Sequence, residues 1–291
     1  MDEWRKGKQV KHGGPDQRTR TFQALHKSGC FIIPNPWDVG SAVFLEKQGF
    51  KALATTSAGF AFSKGLPDSV SAVSRDAMIG HIREIVSATS LPVNADFQTG
   101  YARDPEAVAE NVRLCLKTGV SGLSIEDSTG EGNTPLFERR LAVERIQAAR
   151  SAIDSTGVQA VLTARCEAWL VGQEDPRRTA LDRLVAYAEA GADCLFAPGV
   201  REVGEITEIV KAVAPKPVNV LVSAPGPGLS LSRLSEAGVR RISVGSALAR
   251  IAWKAFVQAV RSISATGTFD ALSEAASFKE LNSIFESTHH S

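Results

Sequence analysis

Four times along this chain a helix-forming stretch runs into a glycine and then into an apolar run: Gln48-Gly49-Phe50, Thr118-Gly119-Val120, Ala190-Gly191-Ala192 and Ala237-Gly238-Val239. Glycine just past a helix end supplies the left-handed backbone that stops the helix at little cost. The run that follows reads as a strand buried on both faces, as parallel strands are. Each junction is therefore an α-to-β step. Reading outward from them places strands near 30–34, 51–56, 92–97, 121–126, 158–164, 193–197, 217–222 and 240–244. Helices alternate with them near 38–48, 73–89, 104–118, 140–155, 176–190, 202–213, 229–237 and 246–264. Eight such units in 291 residues predict an α/β chain folded as a single (β/α)8 barrel, because closure removes both sheet edges. An open dinucleotide-binding sheet would want GxGxxG after its first strand, and none is present.

The barrel is expected over residues 21–265, behind a flexible leader at 1–20 and ahead of an extension at 266–291. Within the extension, 268–287 is predicted as one extra helix whose stripe of Leu272, Phe278, Leu281 and Phe285 has no vacant place on the barrel. A neighbouring subunit is the expected cover, making a homodimer or homotetramer, with docking on the same barrel as the alternative.

Charge narrows the partners. A formal net charge of +1 with acids and bases interspersed gives no extended basic face, which argues against nucleic acid or an anionic membrane. No apolar run reaches the roughly 18 residues needed to span a bilayer, and residues 1–20 lack the apolar centre of a secretory signal. Cys30, Cys115, Cys166 and Cys194 lie in apolar runs without CxxC spacing, which predicts buried reduced thiols and a cytoplasmic location. Small molecules remain as the partner class. His12, His26 and His81 fall on stretches predicted exposed, and His289 and His290 sit at the end of the chain, so no Ser-His-Asp arrangement is expected.

Three predicted strands end in ionisable residues: Asp96 after Leu91-Pro-Val-Asn-Ala, Glu126 after Leu123-Ser-Ile, and Arg165 after Val161-Leu-Thr-Ala. Strand C-termini of a barrel share one mouth. Buried charges are costly unless paired or bound to an ion, so this spacing points to a metal and anion site. The plainer readings are strand-end acids satisfied by loop amides, with Arg165 as a structural partner for Glu126 or Glu167. Gly226, Gly228 and Gly245-Ser246, after the last two strands, could hold a phosphate or simply serve tight turns.

The motifs Asn35-Pro-Trp-Asp38, Thr55-Thr-Ser57-Ala-Gly59, Gly65-Leu-Pro-Asp68, Asn94-Ala-Asp96 with Gly100-Tyr101, Ile125-Glu126-Asp127, Ala164-Arg165-Cys-Glu167-Ala168 and Val244-Gly-Ser-Ala-Leu248 follow one another in an order that resembles the isocitrate lyase and phosphoenolpyruvate mutase superfamily over about residues 20–265. That resemblance implies a barrel with a magnesium ion (manganese in its place is possible) at the mouth, a 2-oxo or 2-hydroxy carboxylate substrate, and an oligomer that exchanges its last helices. It implies Asp96 and Glu126 in the metal shell, Asp68 and Gln98 reaching the ion through water, Thr56, Ser57 and Ala58 at a substrate carboxylate, and Arg165 on the oxoacid. Asp68 has a rival role as a helix cap. Asn35, Trp37 and Asp38 have two readings, direct contact with the substrate or service as a strand terminus, an apolar plug and the N-cap of the first helix.

Two departures stand out. Gln98 occupies the place of the second acid in the family signature Asp-x-Asp-x-Gly-Tyr-Gly, and the loop 127–138 contains no Cys, Lys or His. Asn133 is the one loop residue that matches an asparagine of the mutase. The expected activity is magnesium-dependent cleavage of a C–C bond, by a lyase or decarboxylase, in a small 2-oxo or 2-hydroxy di- or tricarboxylate through a pyruvate-like enolate. The alternatives are C–P bond chemistry on phosphonopyruvate, a paralogue that binds a metabolite without turning it over, and a phosphate-gripping sugar isomerase.

Overall fold

A computed structural model describes residues 15–286. Its strands are β1 (Phe31–Ile33), β2 (Leu53–Ala54), β3 (Val93–Asp96), β4 (Gly122–Glu126), β5 (Val161–Arg165), β6 (Cys194–Phe196), β7 (Val218–Leu221) and β8 (Arg241–Ser243). The helices, in chain order, are α1 (Pro15–Leu25), α2 (Val39–Lys47), α3 (Ser57–Ser63), α4 (Arg75–Ser87), α5 (Pro105–Leu116), α6 (Arg139–Ser155), α7 (Pro176–Glu189), α8 (Val203–Val213), α9 (Leu231–Glu236), α10 (Ala247–Thr266) and α11 (Phe278–Glu286). All strands pair in parallel in the order β1-β8-β7-β6-β5-β4-β3-β2. The seam between β1 and β2 has no ladder, but the Ala54 amide donates to the Pro34 carbonyl at 3.0 Å and brings the sheet round to a nearly closed (β/α)8 barrel.

The four junction glycines behave as their sequence context requires. Gly49, Gly119, Gly191 and Gly238 have φ of 80°, 88°, 100° and 89°. An L side chain there would be strained. Outward-facing Leu123, Ile125, Leu162, Ala164 and Leu195 pack against the helical layer in one continuous core. Asp38 caps α2 through a reciprocal pair with Ser41, confirming its role as an N-cap.

Helix α1 begins inside the stretch expected as a leader; residues 1–14 lie outside the described residues. Arg18 donates to the Val86 and Thr89 carbonyls, and buried Phe22 packs with Phe31, Ile33, Ala52, Ala54, Val161 and Cys194. This helix therefore plugs the base of the barrel.

Several expectations need correction. Strand β2 keeps only two residues, because Thr56 leaves the sheet to cap α3, a helix the sequence pattern did not announce. The extension is not one helix over 268–287: a short 3-10 turn at Asp270–Glu274 is separated from α11 by extended backbone at Ala275, and Ser277 then caps the new turn through the Glu280 amide. His81 is buried and stacked on Phe60, with ring centroids 3.9 Å apart, rather than exposed. Packing at one helix face overrode the polar reading of His81, and the ring of His26 is likewise covered by Phe22 and Phe31. His12, His289 and His290 lie outside the described residues. All four cysteines are free, Cys30 being only half-buried. No helix among the described residues is long and apolar enough to cross a membrane.

Candidate active site

The period of two along each strand sends Asp96, Glu126 and Arg165 inward at the strand C-termini, and the structure brings them together. Arg165 Nη1 lies 2.8 Å from Asp96 Oδ1, and Nη2 lies 3.1 Å from Glu126 Oε2 and 2.9 Å from Glu167 Oε1. A single guanidinium thus faces three carboxylates, and both plainer partners of Arg165, Glu126 and Glu167, are real contacts. Burial opposes its charge, but Glu167, Glu126 and Asp96 together hold Arg165 above its ordinary range. Glu126 shows the reverse balance. Burial, and then the charges of Glu167, Asp96 and Asp127, push its carboxyl well above the ordinary glutamate range against the pull of Arg165.

Asp96 is fixed on its other side. Its Oδ2 accepts from the amide and hydroxyl of Ser57 at 2.9 and 2.8 Å, and its own amide donates to Thr55 Oγ1. The Ser57 amide, expected at a substrate carboxylate, is therefore engaged by Asp96. Thr56 accepts from the Gly59 amide as the N-cap of α3. A Cβ on Gly59 would sit 2.6 Å from Thr56 Cγ2 and 3.0 Å from Trp37 Cβ, so glycine is what lets this turn close against the barrel rim.

Behind the arginine, the Glu167 amide donates to Asp127 Oδ1, while Arg183 and Tyr187 hold Asp127 Oδ2 at 3.0 and 2.7 Å. This buried network sets the direction of the strand end that carries Arg165. Asn35 does similar work at the seam: its side chain donates to the Thr55 carbonyl and accepts from the Val244 and Gly245 amides, tying β1, β2 and β8 together.

A cavity of about 220 Å³ opens at this mouth. Asp68, Asp96, Thr56, Ser57, Ala58 and Arg165 line it, as does Ser246, the N-cap of α10. Leu170, Phe196 and Leu221 form an apolar wall, with Phe196 lying 5.2 Å below the Arg165 guanidinium. Burial and the charge of Asp96 push the Asp68 carboxyl upward, placing it in the same field. Three expected residues are not on this surface. Glu126 is buried off the cavity against Arg165, Gln98 is buried with its Oε1 lacking a partner, and Asn133 is exposed on its loop. Sequence reasoning missed Asn94, Ser124, Asn219 and Arg241, which line the deeper cavity. Asn94 and Ser124 stand two residues before the strand-end charges, a period-two signal that could have found them.

Among the described residues no group of three His, Cys, Asp or Glu side chains is arranged to cage an ion. The donor chemistry nevertheless fits a hard divalent cation. Three carboxylates face the single guanidinium of Arg165, Asp68 stands beside them on the cavity wall, and magnesium needs only one or two carboxylates with water completing its shell.

Residues 22–264 match the family model for phosphoenolpyruvate phosphomutase. The chain belongs to that family, within the phosphoenolpyruvate mutase/isocitrate lyase superfamily. It is 33% identical over 245 residues to an uncharacterised protein of Mycobacterium tuberculosis (strain ATCC 25618 / H37Rv), covering 84% of this chain and 89% of that one. It is also 27% identical over 259 residues to 2-methylisocitrate lyase of Halalkalibacterium halodurans, covering 87% and 83%. A solved structure from Burkholderia cenocepacia J2315, whose lyase/mutase assignment is provisional, superposes with a TM-score of 0.89 at 46% identity over 94% of this chain and 97% of that one. The structure of a 2,3-dimethylmalate lyase gives a TM-score of 0.79 at 25% identity, with 93% of each chain covered.

Proposed function

We propose that the chain is a magnesium-dependent carbon–carbon lyase or decarboxylase acting on a small 2-oxo or 2-hydroxy acid. The observation that carries this reading is the convergence of Asp96, Glu126 and Glu167 on Arg165 at the mouth of the barrel cavity. Asp96 and Asp68 are the residues that would hold the ion, with Glu126 contributing charge from behind. When bound, the ion draws electron density from the oxygens of the oxoacid. Arg165 binds the substrate carboxylate and offsets charge that develops on the enolate oxygen as the C–C bond breaks. Ser57 keeps Asp96 oriented, and the wall of Leu170, Phe196 and Leu221 keeps water from that enolate. Relatives named 2-methylisocitrate lyase and 2,3-dimethylmalate lyase favour carbon acids over phosphonates as substrates.

The test is turnover of oxaloacetate, 2-methylisocitrate, 2,3-dimethylmalate and phosphonopyruvate with magnesium, read as pyruvate release. Pyruvate from a carbon acid is the expected outcome. Pyruvate from phosphonopyruvate alone would replace this reading with C–P bond chemistry. No turnover, with oxalate still binding, would make the chain a metabolite-binding paralogue.

We also propose assembly as a homodimer or homotetramer through the last helices. Helix α10 buries only Ala249 and leaves Ile251, Trp253, Phe256 and Val260 exposed, and Phe278 of α11 is 89% exposed. An apolar surface of this extent on a soluble protein is covered by something. Phe256→Glu is expected to lower the mass seen by light scattering, and deletion of 268–291 to lower it together with solubility. An unchanged mass in both variants would remove these helices from the assembly.

A further inference from the structure

Off the cavity, another buried guanidinium stands behind the site. Arg145 on α6 is 1% exposed, and among the described residues it forms no ion pair. Burial draws its pKa down to about 10, and its Nε has no partner. A charge kept in the interior without a counter-charge is costly, so the contacts that the side chain does make have to account for it. Nη2 donates to two main-chain carbonyls, that of Thr99 and, at 3.0 Å, that of Ala102. The guanidinium carbon lies 3.9 Å from the ring centroid of Phe137. The two carbonyls belong to the turn that follows Asp96. Gln98 and Tyr101 there take φ of 46° and 58°, a region that L side chains enter only when the surroundings force them. The polar ends of those two side chains do not hold the turn, because Gln98 Oε1 and Tyr101 Oη both lack partners. Its carbonyls hold it instead: that of Gln98 accepts from the Glu126 amide at 2.9 Å, that of Gly100 from Asn111 Nδ2 at 2.9 Å, and those of Thr99 and Ala102 from Arg145. The bond at Gln98 ties the end of β3 to the end of β4, and so sets Asp96 beside Glu126. Phe137 closes the loop 127–138, its amide donating to the Asp127 carbonyl at 2.8 Å and its carbonyl accepting from Arg183 Nη2 at 2.8 Å. Arg145 therefore grips the left-handed turn with its edge and the root of that loop with its face.

We propose that Arg145 is a positioning residue: it locks the turn 98–102 in its left-handed form and seats the root of loop 127–138 against it, so that the spacing of Asp96 and Glu126 is set by a side chain that bonds to neither. This rests on the magnesium reading of the same site. With the clamp released, Gln98 and Tyr101 relax toward negative φ and the Gln98 carbonyl turns away from the Glu126 amide. The two carboxylates then lose the fixed separation that a small cation with strict geometry requires.

The experiment uses the full chain and reads two quantities, magnesium affinity by calorimetry and amide hydrogen exchange over 97–103 without metal. In Arg145→Met, which keeps the stem and removes the donors, magnesium is expected to bind at least about tenfold more weakly, as loss of a supporting partner commonly does at metal sites. Exchange over 97–103 should quicken by at least about tenfold while α6 keeps its protection. Arg145→Lys retains a donor for the two carbonyls but loses the flat face against Phe137, so its affinity should fall between the two, about threefold below the wild type. Fully buried Ile153, about two turns further along α6, gives the control for simple destabilisation. Ile153→Ala opens a cavity in the same helix packing and should leave magnesium affinity within about twofold of the wild type. Wild-type affinity or unchanged exchange in Arg145→Met, an affinity in Arg145→Lys equal to that of Arg145→Met or of the wild type, or an equal loss in Ile153→Ala each overturn the proposal. Should Arg145→Met fail to fold, Arg145→Lys decides by the same two readings. A wild type that binds no magnesium would sink the metal reading along with this one. Magnesium binding that is indifferent to Arg145→Met sinks this one alone.

Discussion

Replacing Arg165 with Met is expected to cut turnover by at least about a thousandfold, or ~4 kcal/mol of barrier, and to destabilise the fold in a pH-dependent way. Among the described residues the side chain is the only cation paired with Asp96, Glu126 and Glu167, and removing one partner of a buried ion pair costs about 3–5 kcal/mol. The sign of the pH dependence follows from the displaced carboxyls. Burial raises Glu126 and Glu167 above their ordinary value of 4.5 even with Arg165 pulling them down. The folded state therefore holds protons that the unfolded chain releases. Stability from these groups is fully present below the unfolded value and is lost as pH rises through the raised folded values. Without Arg165 those values rise further, so the gap between variant and wild type should widen toward alkaline pH. Thermal melts from about pH 5 to 9 read this directly. A variant that matches wild-type stability at the alkaline end would mean that the three carboxylates do not depend on this guanidinium.

The second large effect is expected at Asp96. Asp96→Ala removes one of the two carboxylates on the cavity wall, together with the anchor that Ser57 and Arg165 share. Magnesium prefers hard anionic oxygens, and with Gln98 neutral and turned into the protein, Asp68 alone cannot replace the lost charge. Turnover that depends on magnesium should vanish and the heat of magnesium binding should disappear. The barrel should still fold, with a stability loss of ~1–3 kcal/mol, because Asp96 closes its strand rather than packing in the core. Wild-type turnover at limiting magnesium would show that Asp96 does not hold the ion.

Much of this architecture was legible in the sequence because its signals are local. A glycine forced to positive φ after a helix means the same thing in any context, and the four junctions were enough to lay out the alternation of strands and helices. Asp96, Glu126 and Arg165 could be placed because strand C-termini share a mouth. What escaped depends on distant partners. The Ser57 amide looked free for a ligand until Asp96 was seen to take it, an interaction across 39 residues of sequence. Gln98 stood in a metal motif, but it takes a backbone φ of 46° and its side chain is buried off the cavity surface. His81 reads as polar helix surface and becomes core because Phe60 stacks on it. Arg241 sits in an apolar strand next to Arg240, and only closure of the barrel shows that one faces solvent and the other the shaft.

Helix α1 gives the barrel a floor made from residues that precede its first strand. Phe22 seals the shaft from below, and His26, one turn further on, touches the Arg241 guanidinium at the bottom of the cavity. The cavity is thus a blind well and not a tunnel, with its lower end set by a segment that adds no strand to the sheet. Changes made to that segment, whether by truncation, by fusion or by loss of Arg18's hold on the end of α4, should be felt at the depth to which a ligand can sink. A chain lacking α1 could keep all eight strands and still lose its selectivity, because water would enter the well from below.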